Sequence, residues 1–144
     1  MLLRSELQAA LQDLEVACLE VADGHDAAAG ILADDPLAAT LRELAGARRA
    51  AAERLGEFIR QQGDLPAEPD ADLETARELA TRVKAALSPD QHHTLAAERA
   101  AAEGHLVALA EAALGQAELS HEARALVEQI RHAAAAARQR LESD

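Results

Sequence analysis

The sequence predicts an all-α protein, built as a bundle of long helices. Three observations indicate this class. Alanine, leucine, glutamate and arginine dominate the 144 residues, while there is one phenylalanine and neither tryptophan nor tyrosine. Apolar residues recur at alternating steps of three and four, which is the spacing of a bundle seam. Turn and capping signals separate these stripes. We therefore expect one helical domain over residues 1–144.

The first helix is expected over residues 2–33. Its seam has one polar member, His25. Pro36 disfavours helical geometry in the residue before it and suits the first turn of a following helix, so the chain turns tightly at Asp35. The first two helices are therefore expected to be antiparallel neighbours. The seam consists of Leu3, Leu7, Leu11, Leu14, Cys18, Val21, His25, Ala28 and Leu32.

The second helix is expected over residues 36–62, and Gly63 closes it. Arg48 is the only polar member of its seam. A shorter amphipathic helix is expected over residues 71–87. The second seam consists of Leu37, Leu41, Leu44, Arg48, Ala51, Leu55 and Phe58, and it is widened by Ala45, Ala52 and Ile59.

Two more long helices are expected over residues 89–114 and 120–142. Residues 88–90 read Ser-Pro-Asp, the order of an N-cap, a first-turn proline and a first-turn acid. Gly115 ends the third long helix, and Ser120 starts the last. Their seams run through Leu95, Glu98, Ala102, Leu106, Leu109 and Ala113, and through Ala123, Leu126, Ile130, Ala133, Ala137 and Leu141.

The connection between the second and third long helices decides the topology. A helix of roughly 26 residues is about 40 Å long at about 1.5 Å per residue. The segment 63–89 is long enough to run back along that length. We therefore expect the short helix to be a crossover that leaves these two long helices parallel, as in ferritin-like four-helix bundles. The alternative is an up-down bundle with the short helix packed across one end.

The charge of the chain excludes several partners. A formal net charge of −12 disfavours nucleic acid and anionic membrane surfaces. No apolar run approaches the roughly 20 residues of a membrane span, and the N-terminus lacks an apolar core of signal-peptide length. Cys18 is the only cysteine, so no intrachain disulfide forms. We expect a cytoplasmic protein that binds neither nucleic acid nor membrane.

Three short runs carry a resemblance to a known family. They are residues 18–24 in the first helix, residues 44–48 with Ala52 and Leu55 in the second, and residues 95–99 (LAAER) in the third. Together they resemble an uncharacterised bacterial branch of ferritin-like four-helix proteins, a domain of unknown function often found among stress-associated genes. The resemblance spans most of the chain and implies a ferritin-like fold.

The chain departs from that family's pattern in two places. The family's third helix tends to carry an ERGED-like run, whereas residues 98–102 here read ERAAA. Its last helix tends to carry a His-Asp pair, whereas the corresponding positions here are Ala137 and Arg138. Both departures replace acidic or histidine side chains, so the family's metal role is not carried over to this chain.

A polar layer is expected in the middle of the bundle. Counting residues from the helix ends places His25, Arg48 and Glu98 at one level to within about a turn. A guanidinium beside a carboxylate forms a hydrogen-bonded ion pair, which fixes register because mispairing leaves a charge buried alone. The same guanidinium repels a cation. A partly solvated set and a functional site are the alternatives to this structural layer.

A second level collects the candidate metal ligands Glu20, Glu53, Glu103, Glu128 and His132. Facing carboxylates with a histidine suit iron or manganese. Ferritin-like di-iron sites use Glu-x-x-His on two helices, but the second helix has no such histidine and Glu128 precedes His132 by four residues. All five residues lie beside their seams, so a solvated acidic flank is expected, with a metal site as the alternative.

The leading hypothesis for function is a non-enzymatic ferritin-like bundle with a structural, interaction-based or stress-associated role and a degenerate metal site. No cofactor is expected under it. One alternative is an iron- or manganese-binding protein that uses the facing carboxylates, and another is a histidine phosphotransfer module through His93. Because alanine buries little area, we also expect the chain to form a homodimer, which buries more surface. The sequence does not identify any other protein partner.

Overall fold

The computed structural model describes residues 5–63 and 90–143, and these form four α-helices. The two described ranges contain no strand, so the prediction of an all-α bundle with four long helices is confirmed. No helix within them is long and apolar enough to cross a membrane. The short helix expected over residues 71–87 lies outside the described residues. The helices are α1 (Glu6–Leu32), α2 (Pro36–Gln61), α3 (Gln91–Leu114) and α4 (His121–Glu142).

Side-chain caps set where the helices begin. The Ser5 hydroxyl accepts from the backbone N–H of Gln8, and the Gln8 side chain accepts from the backbone N–H of Ser5. This reciprocal capping box starts α1 four residues later than expected. Asp90, and not Ser88, caps α3, because its carboxylate accepts from the backbone N–H of His93 at 3.1 Å. The remaining helices are capped by Asp35 and Ser120.

Contacts at the two ends show which helix termini lie together. At one end, His92 Nδ1 lies 2.7 Å from Asp35 Oδ2, which holds the start of α3 beside the turn between α1 and α2. At the other end, one cleft is lined by Ser5, Ile59 and Ser120, which belong to the start of α1, the end of α2 and the start of α4. Between these ends α1 packs against both α2 and α3, and α3 packs against α4.

The apolar core is divided into two clusters along the bundle axis. One cluster lies toward the Ser120 end and the other toward the Asp35 end. The first includes Leu14, Leu55, Leu106 and Val127, and the second includes Leu32, Leu41, Leu95 and Leu141. Every helix contributes to both clusters, so every helix crosses the boundary between them. The buried polar residues His25, Arg48 and Glu103 lie at that boundary, while Gln12 and Glu15 are buried on α1 beside the cluster at the Ser120 end.

The seams of α3 and α4 differ from the expected ones by one position over part of their length. Leu95, Leu106 and Ala113 are buried as expected, but from Leu95 to Ala113 the seam takes steps of four, four, three, four and three. The reason is that alanines stand on both sides of the true seam, so either choice of three- and four-residue steps gives an apolar stripe. α3 buries Arg99, Glu103 and Ala110 where Glu98, Ala102 and Leu109 were expected, and α4 buries Val127 and Ala134 where Leu126 and Ala133 were expected.

Candidate functional site: a buried ion-paired layer

A polar layer separates the two apolar clusters. On α1, His25 lies between Val21 of one cluster and Ala28 of the other. On α2, Arg48 likewise lies between residues of the two clusters, and on α3 Glu103 does so. All three side chains are buried, with exposed fractions of 0%, 2% and 0%. On α4 the boundary falls between Ala134 and Ala137, so α4 contributes only small side chains to this level.

The centre of the layer is an ion pair between α2 and α3. Arg48 Nε donates to both carboxylate oxygens of Glu103, at 2.6 Å to Oε1 and 2.9 Å to Oε2. Hydrogen bonds between ionised partners are shorter and stronger than neutral ones. Because both groups are withdrawn from water, neither tolerates loss of the other, and the pair fixes the register of α2 against α3.

His25 faces this pair without a hydrogen bond. Its Nε2 lies 3.8 Å from Glu103 Oε1, too far for a hydrogen bond, and neither ring nitrogen has a partner among the described residues. Burial lowers the pKa of His25, and the nearby Arg99 and Arg48 lower it further, while Glu103 opposes them. The imidazole is therefore held in its neutral form.

Arg99 adds a second buried guanidinium on α3. Its exposed fraction is 9%, and its Nη1 donates one long hydrogen bond, 3.5 Å, to the backbone carbonyl of Val21. Room for it comes from Gly24 on α1, where an added Cβ would lie 1.9 Å from Arg99 Nη1. Burial lowers the pKa of Arg99, opposed by the charges of Glu98 and Glu103. The layer thus carries two cations that face a neutral histidine.

Cys18 lies two turns before His25 on α1 and belongs to the apolar cluster at the Ser120 end. Burial raises the pKa of its thiol to about 12, against a lowering effect of Arg48. A thiol held in this state is a poor nucleophile and a poor ligand, because the thiolate is the reactive form. Cys18 therefore acts as a small apolar side chain.

The structure redistributes the residues that the sequence assigned to the layer. It brings His25 and Arg48 together with Glu103, which counting along the chain had assigned to the acidic level. Glu98 is half-buried and lies one position away from the inward-facing Arg99. The cause is the one-residue difference in the α3 seam. Starting from Leu95 with two steps of four would have selected both Arg99 and Glu103.

The remaining candidate metal ligands lie toward solvent. Glu53, Glu128 and His132 are exposed, Glu20 is half-buried, and both oxygens of Glu103 accept from Arg48. In the described part of the chain no three His, Cys, Asp or Glu side chains are arranged to hold a metal ion. The donor set therefore does not fit an iron or manganese centre, in which several carboxylates converge on one point.

The histidine suggested for phosphotransfer lies at a helix start. His93 is in the first turn of α3, its side chain is 70% exposed, and its Nδ1 contacts the carboxylate of Asp90. A neighbouring carboxylate occupies this ring nitrogen and places a negative charge beside it. Both features disfavour the approach of a phosphoryl group to that atom.

The fold and the layer together define a class: an all-α four-helix bundle whose core is divided by a buried Arg–Glu pair. Within that class the chain belongs to the DUF2383 family, described as a domain of unknown function, whose model matches residues 6–116. The match contains His25, Arg48, Arg99 and Glu103 and ends before α4. Comparison with curated proteins and with solved structures gives no match.

Proposed function

We propose that this chain is a ferritin-like bundle with a structural or interaction-based role, without enzymatic activity, in which an ion pair has taken the place of a metal centre. The observation that carries the proposal is the pair of hydrogen bonds from Arg48 Nε to both oxygens of Glu103 between buried side chains. A cytoplasmic location and a stress-associated setting, expected from the sequence, belong to the same proposal.

The positions of the helix ends support the ferritin-like topology. α2 ends near the Ser120 end of the bundle, and α3 starts at the other end, where His92 contacts Asp35. A chain that follows this course runs α2 and α3 in the same direction and needs a long connection between them. One long crossover joined to two antiparallel pairs is the ferritin-like arrangement.

The electrostatics of the layer support the absence of a metal role. A divalent cation bound by Glu103 would have to displace Arg48 from both carboxylate oxygens. The guanidinium would then stay buried beside the metal without its counter-charge, an arrangement that costs several kcal/mol, on the order of 3–5, when one partner of a buried pair is lost. Arg99, whose guanidinium reaches Val21 and Gly24 on α1, adds a further positive charge nearby.

Metal loading tests the proposal. The purified full-length chain is incubated with Fe(II) in air, or with Mn(II), desalted and analysed for metal, while Fe(II) oxidation is followed against buffer. We expect well below one ion per chain and no oxidation above buffer. Glu103→Gln and Glu53→Gln are tested in parallel as a buried and an exposed acid of the candidate set. Stoichiometric metal in the wild type that disappears in either variant would overturn the proposal.

A further inference from the structure

An open groove lies between α2 and α4 toward the Ser120 end of the bundle. Its middle is apolar, formed by Phe58 on α2 and by Ala125 and Leu126 on α4. Ala125 is exposed, while Phe58 and Leu126 are half-buried. Phe58 is the only aromatic residue in the sequence, and aromatic side chains in such positions are typical centres of protein interfaces.

The charged residues of the groove differ between its two ends. Arg54 lies at one end, level with Gln129, because its Nη1 donates to Gln129 Oε1 at 3.4 Å. Glu122 lies seven residues before Gln129 on α4, about 10 Å away at about 1.5 Å per residue. Glu57 lies between these two levels, one turn beyond Arg54 on α2. The groove thus has a basic end at Arg54, an acidic end at Glu122, and a middle in which Glu57 lies beside the apolar residues.

This arrangement is complementary to itself. A 180° rotation about an axis across the middle of the groove lays the basic end of a second copy over the acidic end of the first. The same rotation brings the two apolar middles together. Two-fold interfaces have this property, since each surface contact occurs twice with the partners exchanged. Opposite charges at the rim then orient the two copies, while the apolar centre is withdrawn from water.

We propose that a second copy of this chain docks on the α2–α4 groove. Phe58 and Leu126 form the centre of the interface with Glu57 beside it, and Arg54 of each copy lies over the end of the groove that carries Glu122 of the other. The inference rests on the interaction-based role proposed above and specifies the surface that carries it. Local complementarity is needed, because two chains with a net charge of −12 each repel one another at long range.

The mass of the full-length chain is measured by light scattering and sedimentation over a concentration series, for the wild type and for matched variants. Ala125→Glu places a carboxylate in the apolar middle at an exposed helical site, so it leaves folding intact. Ala108→Glu makes the same change at an exposed position of α3, outside the groove. We expect a wild-type dimer, an increase in Kd of about tenfold or more for Ala125→Glu, and little change for Ala108→Glu.

Exchanging the charges tests the two-fold alignment. Arg54→Glu alone and Glu122→Arg alone each weaken the dimer, and the double variant restores it because the two ends stay complementary. A monomeric wild type at every concentration overturns the inference, as does equal weakening by Ala125→Glu and Ala108→Glu, or a double variant without recovery. These readouts are independent of metal content, so failure here is distinguishable from failure of the metal-loading test.

Discussion

Two sets of similar side chains in this bundle have opposite environments. The layer formed by His25, Arg48 and Glu103 is withdrawn from water, with Arg48 paired to Glu103, whereas Glu53 and His132 are exposed on the outside of the helices. Both sets contain acidic and histidine residues of the kind that build metal centres. The difference shows that the helix face, more than residue type or level along the axis, decides what these groups do.

Substitutions in the two sets are expected to change the stability of the bundle by different amounts. In the layer each charge depends on a partner for its solvation, so a single substitution changes the stability of the whole bundle. On the outside water solvates each charge, and most substitutions change the free energy of unfolding by less than about 0.5 kcal/mol. Matched substitutions in the two sets therefore measure how strongly the layer holds the fold together.

The largest contrast is expected between Glu103→Gln and Glu53→Gln. Glu103→Gln keeps the shape of the side chain but leaves the Arg48 guanidinium buried without its counter-charge. We expect the free energy of unfolding to fall by about 3 kcal/mol for Glu103→Gln, and by less than about 0.5 kcal/mol for Glu53→Gln. Urea unfolding followed by circular dichroism gives both values.

Replacing the whole pair removes the ambiguity of a variant that folds poorly. Arg48→Met with Glu103→Leu exchanges both charges for apolar side chains of similar size. The double variant is expected to recover most or all of the wild-type stability, because no buried charge is left alone. If Glu103→Gln and Glu53→Gln unfold at the same urea concentration, the ion pair does not stabilise the register of α2 and α3.

A smaller difference in thermal stability is expected between alanine substitutions at two glycines on helix faces. An added methyl group at Gly24 meets Arg99 Nη1 at 1.9 Å, whereas at the exposed Gly46 nothing lies within 4 Å. Alanine favours the helix by about 1 kcal/mol over glycine, and overpacking costs about 1–3 kcal/mol. Gly46→Ala should therefore raise the midpoint of thermal unfolding and Gly24→Ala should lower it. An increase for both would mean that Arg99 moves aside freely.

The sequence defines the first half of the fold better than the second. In α1 and α2 leucine is the most frequent residue of the seam, so His25 and Arg48 stand out as its polar members. In α3 and α4 alanines stand on both sides of the seam, and alanine differs too little in buried area to select one face. The sequence therefore predicts Glu98 as the partner of Arg48, whereas Arg48 binds Glu103 in the structure.

Chemistry offers a signal that periodicity lacks in such helices. Two readings of α3 were open, one that buries Glu98 and one that buries both Arg99 and Glu103. The second gives Arg48 the buried partner Glu103, while Glu98, outside the seam, stays close enough to oppose the effect of burial on Arg99. The first reading also gives Arg48 one acid, so charge pairing selects between the two readings only once the level of each residue is known.

The smallest expected difference is in the pH dependence of the free energy of unfolding, and it compares His25 with the exposed His132. In the unfolded chain His25 takes up a proton near its ordinary pKa of 6.5, whereas burial beside Arg48 and Arg99 lowers its pKa in the folded chain. Between these two values the unfolded state binds more protons, so stability falls as the pH decreases below about 6.5. Each unit of lowering corresponds to about 1.4 kcal/mol. We expect the wild type to lose stability between pH 8 and pH 5.

Leucine substitutions at positions 25 and 132 isolate the contribution of His25 to the pH dependence of stability. His25→Leu keeps an apolar side chain of similar volume in the layer and removes no hydrogen bond to a described residue, so it should fold and show a shallower pH dependence than the wild type. His132→Leu alters a side chain that water reaches in both states, and the wild-type slope should persist. Urea midpoints at pH 8, 7, 6 and 5 provide the comparison. An unchanged slope in His25→Leu would mean that the pKa of His25 is the same in the folded and unfolded chains, and a steeper loss of stability would mean that the folded bundle stabilises the charged imidazole.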